Sequence, residues 1–139
     1  MNRNIQDSGY REIEVTADRG IEVWAPDLEE LFRVAAIGML DIAGLKTEIE
    51  KEAHRDLKIS AIDHETLLIS FLEEILFLLE DEATVFSSSQ ISINEFELHA
   101  TMSGKKAIWI ENEIKAVTYN NLEIKFIDNE YQVTIVFDL

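Results

Sequence analysis

The sequence predicts an α+β fold, with two helices packed on a largely antiparallel or mixed sheet. Three observations predict it. Two segments carry apolar residues at helical spacing, most of the rest alternates with a strand-like period of two, and no internal repeat divides the chain. The length of 139 residues, 47% of them hydrophobic, with 5 Gly and 1 Pro, fits a single domain over 1–139 with little room for a disordered linker.

The first strands come from "REIEVTADRGIEVW", where Ile13/Val15 and Ile21/Val23 alternate with Glu12/Glu14 and Glu22/Trp24. Between the two runs stands Thr16-Ala17-Asp18-Arg19-Gly20. Asp18 either ends a strand there or holds something, and the local pattern leaves both open. The first helix follows in "APDLEELFRVAAIGMLDIAG", spanning about residues 27–43. Asp27 suits the N-cap, Glu30 three residues on suggests a capping box, and Gly44 suits the stop. Leu28, Leu31, Phe32, Ala35, Ala36, Met39 and Leu40 form its apolar face.

"HRDLKISA" reads as a strand leading to the second helix, "DHETLLISFLEEILFLLEDEA", over about residues 63–82 with Asp63 as N-cap. Its stripe runs through Leu67, Leu68, Phe71, Leu72, Ile75, Leu76 and Leu79, while Glu73, Glu74 and Glu80 face water. "SSSQ" then reads as a strand entry and "QISINEFELHATM" as a strand. The C-terminal third gives three strands joined by Asn120-Asn121 and Asp128-Asn129, since Asn and Asp tolerate left-handed backbone angles. In the last strand Tyr131, Val133, Ile135 and Phe137 share one face. Gln132, Thr134, Val136 and Asp138 share the other, and Leu139 carries the α-carboxylate at the strand's end.

Charge narrows the function. Twelve Lys+Arg against 28 Asp+Glu give a net charge of −16, which opposes tight binding of nucleic acid and favours cations or basic proteins as partners. Without cysteine, disulfides, zinc–thiolate sites and thiol nucleophiles are excluded. The N-terminus has no apolar signal segment and no run is long enough to span a membrane, so the expectation is a soluble, cytoplasmic protein without membrane partners. His54, His64 and His99 lack ligand spacing, "SGKK" is too short for a phosphate loop, and no histidine is placed to activate the serine run. Motifs alone give no enzyme.

"TADRGIEVWAPDLEELFRVAAIGMLDIAG", "LLISFLEEILFLLEDEATVFS" and "EIKAVTYNNLEIKFIDNEYQVTIVFDL" together resemble the archease family across nearly the whole chain. The resemblance implies a non-catalytic partner of the GTP-dependent RNA ligase of tRNA splicing and RNA repair, promoting ligase guanylylation and repeated turnover. It also implies a metal site, usually assigned to calcium. Its ligands carry over to Asp18, Asp138 and the terminal residue Leu139. Lys115, in "EIKAVTY", matches a family position and becomes the candidate partner-facing cation. Two positions depart from the family pattern. Val15 stands where a His usually precedes Thr-Ala-Asp, and Asn120 where a His usually follows "KAVTY". Two other classes remain: a metal-dependent hydrolase using the same carboxylates to activate water, and a general chaperone or binding module with an exposed apolar patch.

Overall fold

In the computed structural model, residues 7–16, 18–49 and 52–139 are described, without the side chains of Ser88 and Ser89. Residues 1–6, which bear on the targeting expectation, and Ala17 of the Thr-Ala-Asp stretch lie outside the described residues. The elements run β1 (Gly9–Val15), β2 (Asp18–Ala25), α1 (Leu28–Ala43), β3 (Leu45–Thr47), β4 (Ala53–Ser60), α2 (His64–Glu82), β5 (Thr84–Asn94), β6 (Glu97–Ile110), β7 (Ala116–Val117), β8 (Lys125–Ile127) and β9 (Glu130–Asp138).

Both helices begin where a capping carboxylate allows. The Asp27 side chain accepts the Glu30 N–H at 2.8 Å, and Asp63 accepts the Thr66 N–H at 2.7 Å. Gly44 ends α1 with a left-handed φ of 63°, its N–H donating to the Leu40 and Asp41 carbonyls. One expectation fails at the first cap. Glu30 does not complete a capping box, because its carboxylate takes a fork from Arg33 at 2.6 and 2.8 Å and the Ser8 hydroxyl at 2.7 Å. A charged two-pronged donor outcompetes a lone backbone N–H.

The expected helical stripes are the buried ones, with Leu28, Leu40 and Leu76 half-covered at the margin. Phe32 of α1 and Phe71 of α2 meet with ring centroids 6.0 Å apart. Each fully buried side chain of this size contributes about 1.5–3 kcal/mol by leaving water. Both helices also touch β5, so the two pack on a common sheet as well as on each other.

The strands form two antiparallel sheets where the sequence suggested one. The first has the order β1-β2-β9, and its far edge is divided between β7 and β8, which pair with opposite ends of β9. The second is centred on β6, with β5 on one side and β3 and β4 along the other. The single sheet expected from the sequence therefore divides into two. "QISINEFELHATM" is not one strand but the tip of the long β5–β6 hairpin. Its turn at Glu95, φ 53°, uses neither Gly nor Pro, which removed the usual sign of a break. The serine run lies inside β5, where the register shifts between Ser88 and Gln90, and so is not the strand's entry. The two Asn/Asp turns do sit where expected, with left-handed φ at Asn121, Asp128 and Asn129. Consecutive left-handed residues at Asp128-Asn129 suit the tight β8–β9 hairpin.

Candidate functional site

β2 and β9 carry the site to one end of the first sheet. On β9, Val133, Ile135 and Phe137 are buried, as are Ile21, Val23 and Ala25 on β2. Alternation therefore turns Asp138 and Asp18 to the opposite, solvent-facing side, where both are exposed. The pairing runs Trp24↔Gln132, Glu22↔Thr134, Gly20↔Val136 and Arg19↔Phe137. The pairing ends at Arg19↔Phe137, and the same register carried one residue further would set Asp18 against Asp138. Directly opposed antiparallel residues hold their Cβ atoms about 4.5–5.5 Å apart on one face.

The row extends in both directions. Val15 of β1 pairs with Asp18 across the Thr16-Ala17 link, and Ala116 of β7 pairs with Asp138. The β1–β2 pairing thus puts Val15 and Asp18 side by side on the same face. The Lys115 backbone N–H donates to the Asp138 carbonyl at 2.8 Å, which fixes β7 against the chain end while the Lys115 side chain stays exposed. Leu139 follows Asp138 directly and is 36% exposed. Asn120 stands apart in the turn closed by the Leu122 N–H to Tyr119 carbonyl bond, and strand pairing does not bring it beside the aspartates.

Neither aspartate has a side-chain hydrogen bond or ion pair among the described residues, while Arg19, next to Asp18, is committed to Glu12 at 2.5 Å. Among the described residues no three His, Cys, Asp or Glu side chains gather to hold a metal. A site at this row would therefore use two aspartate side chains and need a further oxygen donor, for which the Leu139 carboxylate is the adjacent group. Such an all-oxygen, anionic set fits a hard divalent cation such as calcium.

The histidines do other work. His64 Nε2 lies 2.7 Å from the Glu95 carbonyl and its ring 4.9 Å from that of Phe96, tying the start of α2 to the β5–β6 turn. His54 and His99 are exposed on β4 and β6, at different levels of the strand pairing.

The family model of the archease protein family matches residues 10–139. The chain belongs to the archease family. Protein archease of Methanothermobacter thermautotrophicus is 31% identical over 138 residues, covering 94% of this chain and 99% of that protein. Protein archease of Pyrococcus furiosus is 30% identical over 139 residues, covering 94% and 98%. Among solved structures, the solution structure of Methanobacterium thermoautotrophicum protein 1598 superposes with a TM-score of 0.68 at 28% identity, over 94% of this chain and 99% of that one. The crystal structure of a Thermotoga maritima archease, described as a possible chaperone, also gives 0.68, at 22% identity, over 93% and 96%. This last likeness is one of fold, and it places the two-helix, antiparallel architecture among archeases.

Proposed function

We propose that this archease is a metal-binding accessory protein of a GTP-dependent RNA ligase, promoting ligase guanylylation and repeated turnover and performing no catalysis of its own. The observation that carries the reading is the β2–β9 register, which runs to Arg19↔Phe137 and, carried one residue further, would bring the exposed Asp18 opposite the exposed Asp138. Asp18, Asp138 and the Leu139 carboxylate would hold the cation. Bound there, it would neutralise the carboxylates and present a hard Lewis-acid centre to oxygen groups of the partner.

The Lys115 side chain would face the same partner from the neighbouring strand. A net charge of −16 supports a basic, RNA-binding enzyme as that partner, since complementary charge speeds encounter and disfavours direct contact with RNA. No helix among the described residues is long and apolar enough to cross a membrane.

The test is single-turnover and multiple-turnover guanylylation of the ligase with the native chain, with Asp18→Asn and with Asp138→Asn. The native chain should accelerate guanylylation and both variants should lose most of that effect. Equal stimulation by all three would remove the site. Submicromolar RNA affinity at physiological salt, measured without the ligase, would contradict the division of labour.

A further inference from the structure

The far edge of the first sheet is interrupted. β7 meets β9 at Ala116↔Asp138 and Val117↔Phe137, and β8 meets it at Lys125↔Gln132, Phe126↔Tyr131 and Ile127↔Glu130. Between them the chain leaves the sheet. Asn120 and Asn121 form a turn, Leu122 and Ile124 pack half-buried against the core, and the Ile124 N–H donates to Glu65 of α2 at 3.0 Å. No strand residue therefore stands opposite Thr134 on this side.

The direction of the Thr134 backbone follows from its neighbours. The Thr118 N–H donates to the Val136 carbonyl at 2.9 Å and the Lys115 N–H to the Asp138 carbonyl at 2.8 Å, so both carbonyls point to this edge. The pairing with β2 runs in one register from Tyr131 to Phe137, and alternate residues of such a strand turn their N–H and C=O to alternate edges. Thr134 thus turns both groups into the gap, while Val133 and Ile135 turn theirs to β2. No group among the described residues bonds to the Thr134 main chain there. A lone edge position of this kind is ordinarily left to water, but here a cavity of about 370 Å³ surrounds it. Glu22 and Trp24 of β2 form one wall, Gln132 and Thr134 the floor, and Asn121, Glu123 and Lys125 the other wall. Its charges balance locally. Glu22 is paired with Arg11, while Glu123 and Lys125 are exposed and have no ion-pair partner among the described residues.

The chemistry of the occupant follows by elimination. A group that only accepts, such as a carboxylate or phosphate, would leave the Thr134 carbonyl unmatched and meet Glu22 and Glu123. A group that only donates, such as an ammonium or guanidinium, would leave the Thr134 N–H unmatched and meet Lys125. An added strand is excluded by the chain itself, since Thr118 and Lys125 already fill the edge beside Val136 and Gln132. What fits is a compact neutral group that enters end-on with one donor beside one acceptor. A primary carboxamide has that form.

We propose that the cavity over Thr134 binds the carboxamide of an asparagine or glutamine, which completes the missing position by accepting from the Thr134 N–H and donating to its carbonyl. Glu123 and Lys125 suit the ammonium and carboxylate of a free amino acid, whereas a residue within a protein segment needs neither. The site lies on β9 short of Asp138 and does not depend on the ligase reading.

Two measurements on the full chain test it. In the free protein, amide hydrogen exchange followed by NMR should be fast at Thr134 and slow at Val133 and Ile135. A Thr134 amide as protected as its neighbours overturns the open position. Proton–nitrogen spectra are then followed to ~50 mM ligand, since so small a group binds with a dissociation constant on the order of 1–10 mM. The ligands are L-glutamine, N-acetyl-glutamine methylamide, L-glutamate, N-acetyl-alanine methylamide and cytidine. L-glutamine or its capped form should shift the Thr134 amide saturably and slow its exchange, and the other three should not. Binding of the free amino acid alone, lost in Glu123→Ala with Lys125→Ala, assigns a small-molecule ligand; binding of the capped form assigns a protein side chain. Thr134→Pro removes the outward N–H and leaves the pairing with β2 to its neighbours, so the folded variant should lose the response. Folding is checked by circular dichroism, and if that variant does not fold, the ligand series on the native chain still decides. No saturable shift with either glutamine ligand overturns the proposal, as does L-glutamate binding as well as L-glutamine. So does an undiminished response in folded Thr134→Pro. Cytidine binding in place of the amides, through a base edge with the same donor and acceptor, would also refute the carboxamide assignment.

Discussion

Replacing Asp18 by Asn should change the sign of its effect on stability when calcium is added. In the proposed row without cation, the exposed carboxylates of Asp18 and Asp138 would stand at opposed positions of β2 and β9. At about 5 Å in a water-like dielectric their repulsion is below 1 kcal/mol. Asp18→Asn removes it, so in chelator the variant should melt at the same temperature as the native chain or up to about 3 °C higher. With calcium the order reverses. A cation at a hundredfold excess over its dissociation constant stabilises the folded form by about 2.7 kcal/mol. A chain of 139 residues has an unfolding entropy near 0.3 kcal/mol/K, which makes that a rise of about 9 °C. Losing one anionic ligand should cut the rise by more than half. Differential scanning calorimetry of both proteins in chelator, calcium and magnesium reads all of these quantities. Equal calcium shifts in the two proteins would refute the shared-ligand reasoning, as would a variant that is less stable already in chelator, since Asp18 would then be supporting the hairpin and not a cation.

Three further outcomes follow from other parts of the structure. Lys115→Ala should leave the melting temperature and the calcium shift in place, because its structural contribution is a backbone N–H, while lowering ligase guanylylation; unchanged guanylylation would remove the side chain from the partner surface. Gly20→Ala should destabilise by about 1–3 kcal/mol in a urea titration, because an added Cβ meets the Ile135 carbonyl oxygen at 2.6 Å, and a neutral result would mean that β2 and β9 can move apart. Glu30 is held below its usual 4.5 by the Arg33 guanidinium, partly opposed by burial and assisted by Ser8. Its contribution is therefore complete above that value and lost as pH falls through the lower folded one. Melting from pH 7 to pH 3 should fall less steeply for Glu30→Gln than for the native chain, and parallel curves would count against the ion pair.

The parts of the fold legible in the sequence are those whose cause is local. Asp27, Gly44 and Asp63 act on backbone groups within a few residues, and the helical stripes need only the helix period to be seen. The Asp128-Asn129 turn is likewise local. What escaped depends on partners distant in the chain. Nothing within "QISINEFELHATM" marks where β5 stops and β6 begins, because the turn is held from outside by His64. The exposure of Trp109 also escaped, since "AIWI" reads as any buried strand until it is known that β5 starts only opposite Lys106.

The candidate site combines both kinds of information. Alternation along β9 could put Asp138 on the solvent face, and the resemblance could name Asp18, yet neither could supply the register between residues so far apart in sequence. That register follows from the cores of the two strands. Ile21 lies opposite Ile135 and Val23 opposite Val133, and a slip of one residue would turn one strand's apolar set into water. Burying these side chains therefore fixes where the solvent-facing row must end. In the proposed site the hydrophobic effect, which has no affinity for a cation, would be what aligns the two acids. The separate β1–β2 pairing gives Val15 its place beside Asp18, so a histidine at that position would stand next to a carboxylate, whereas Val15 offers it neither a charge nor a hydrogen bond. A cation bound at the proposed site would be held without an imidazole at that position, and the two carboxylates would carry correspondingly more of it.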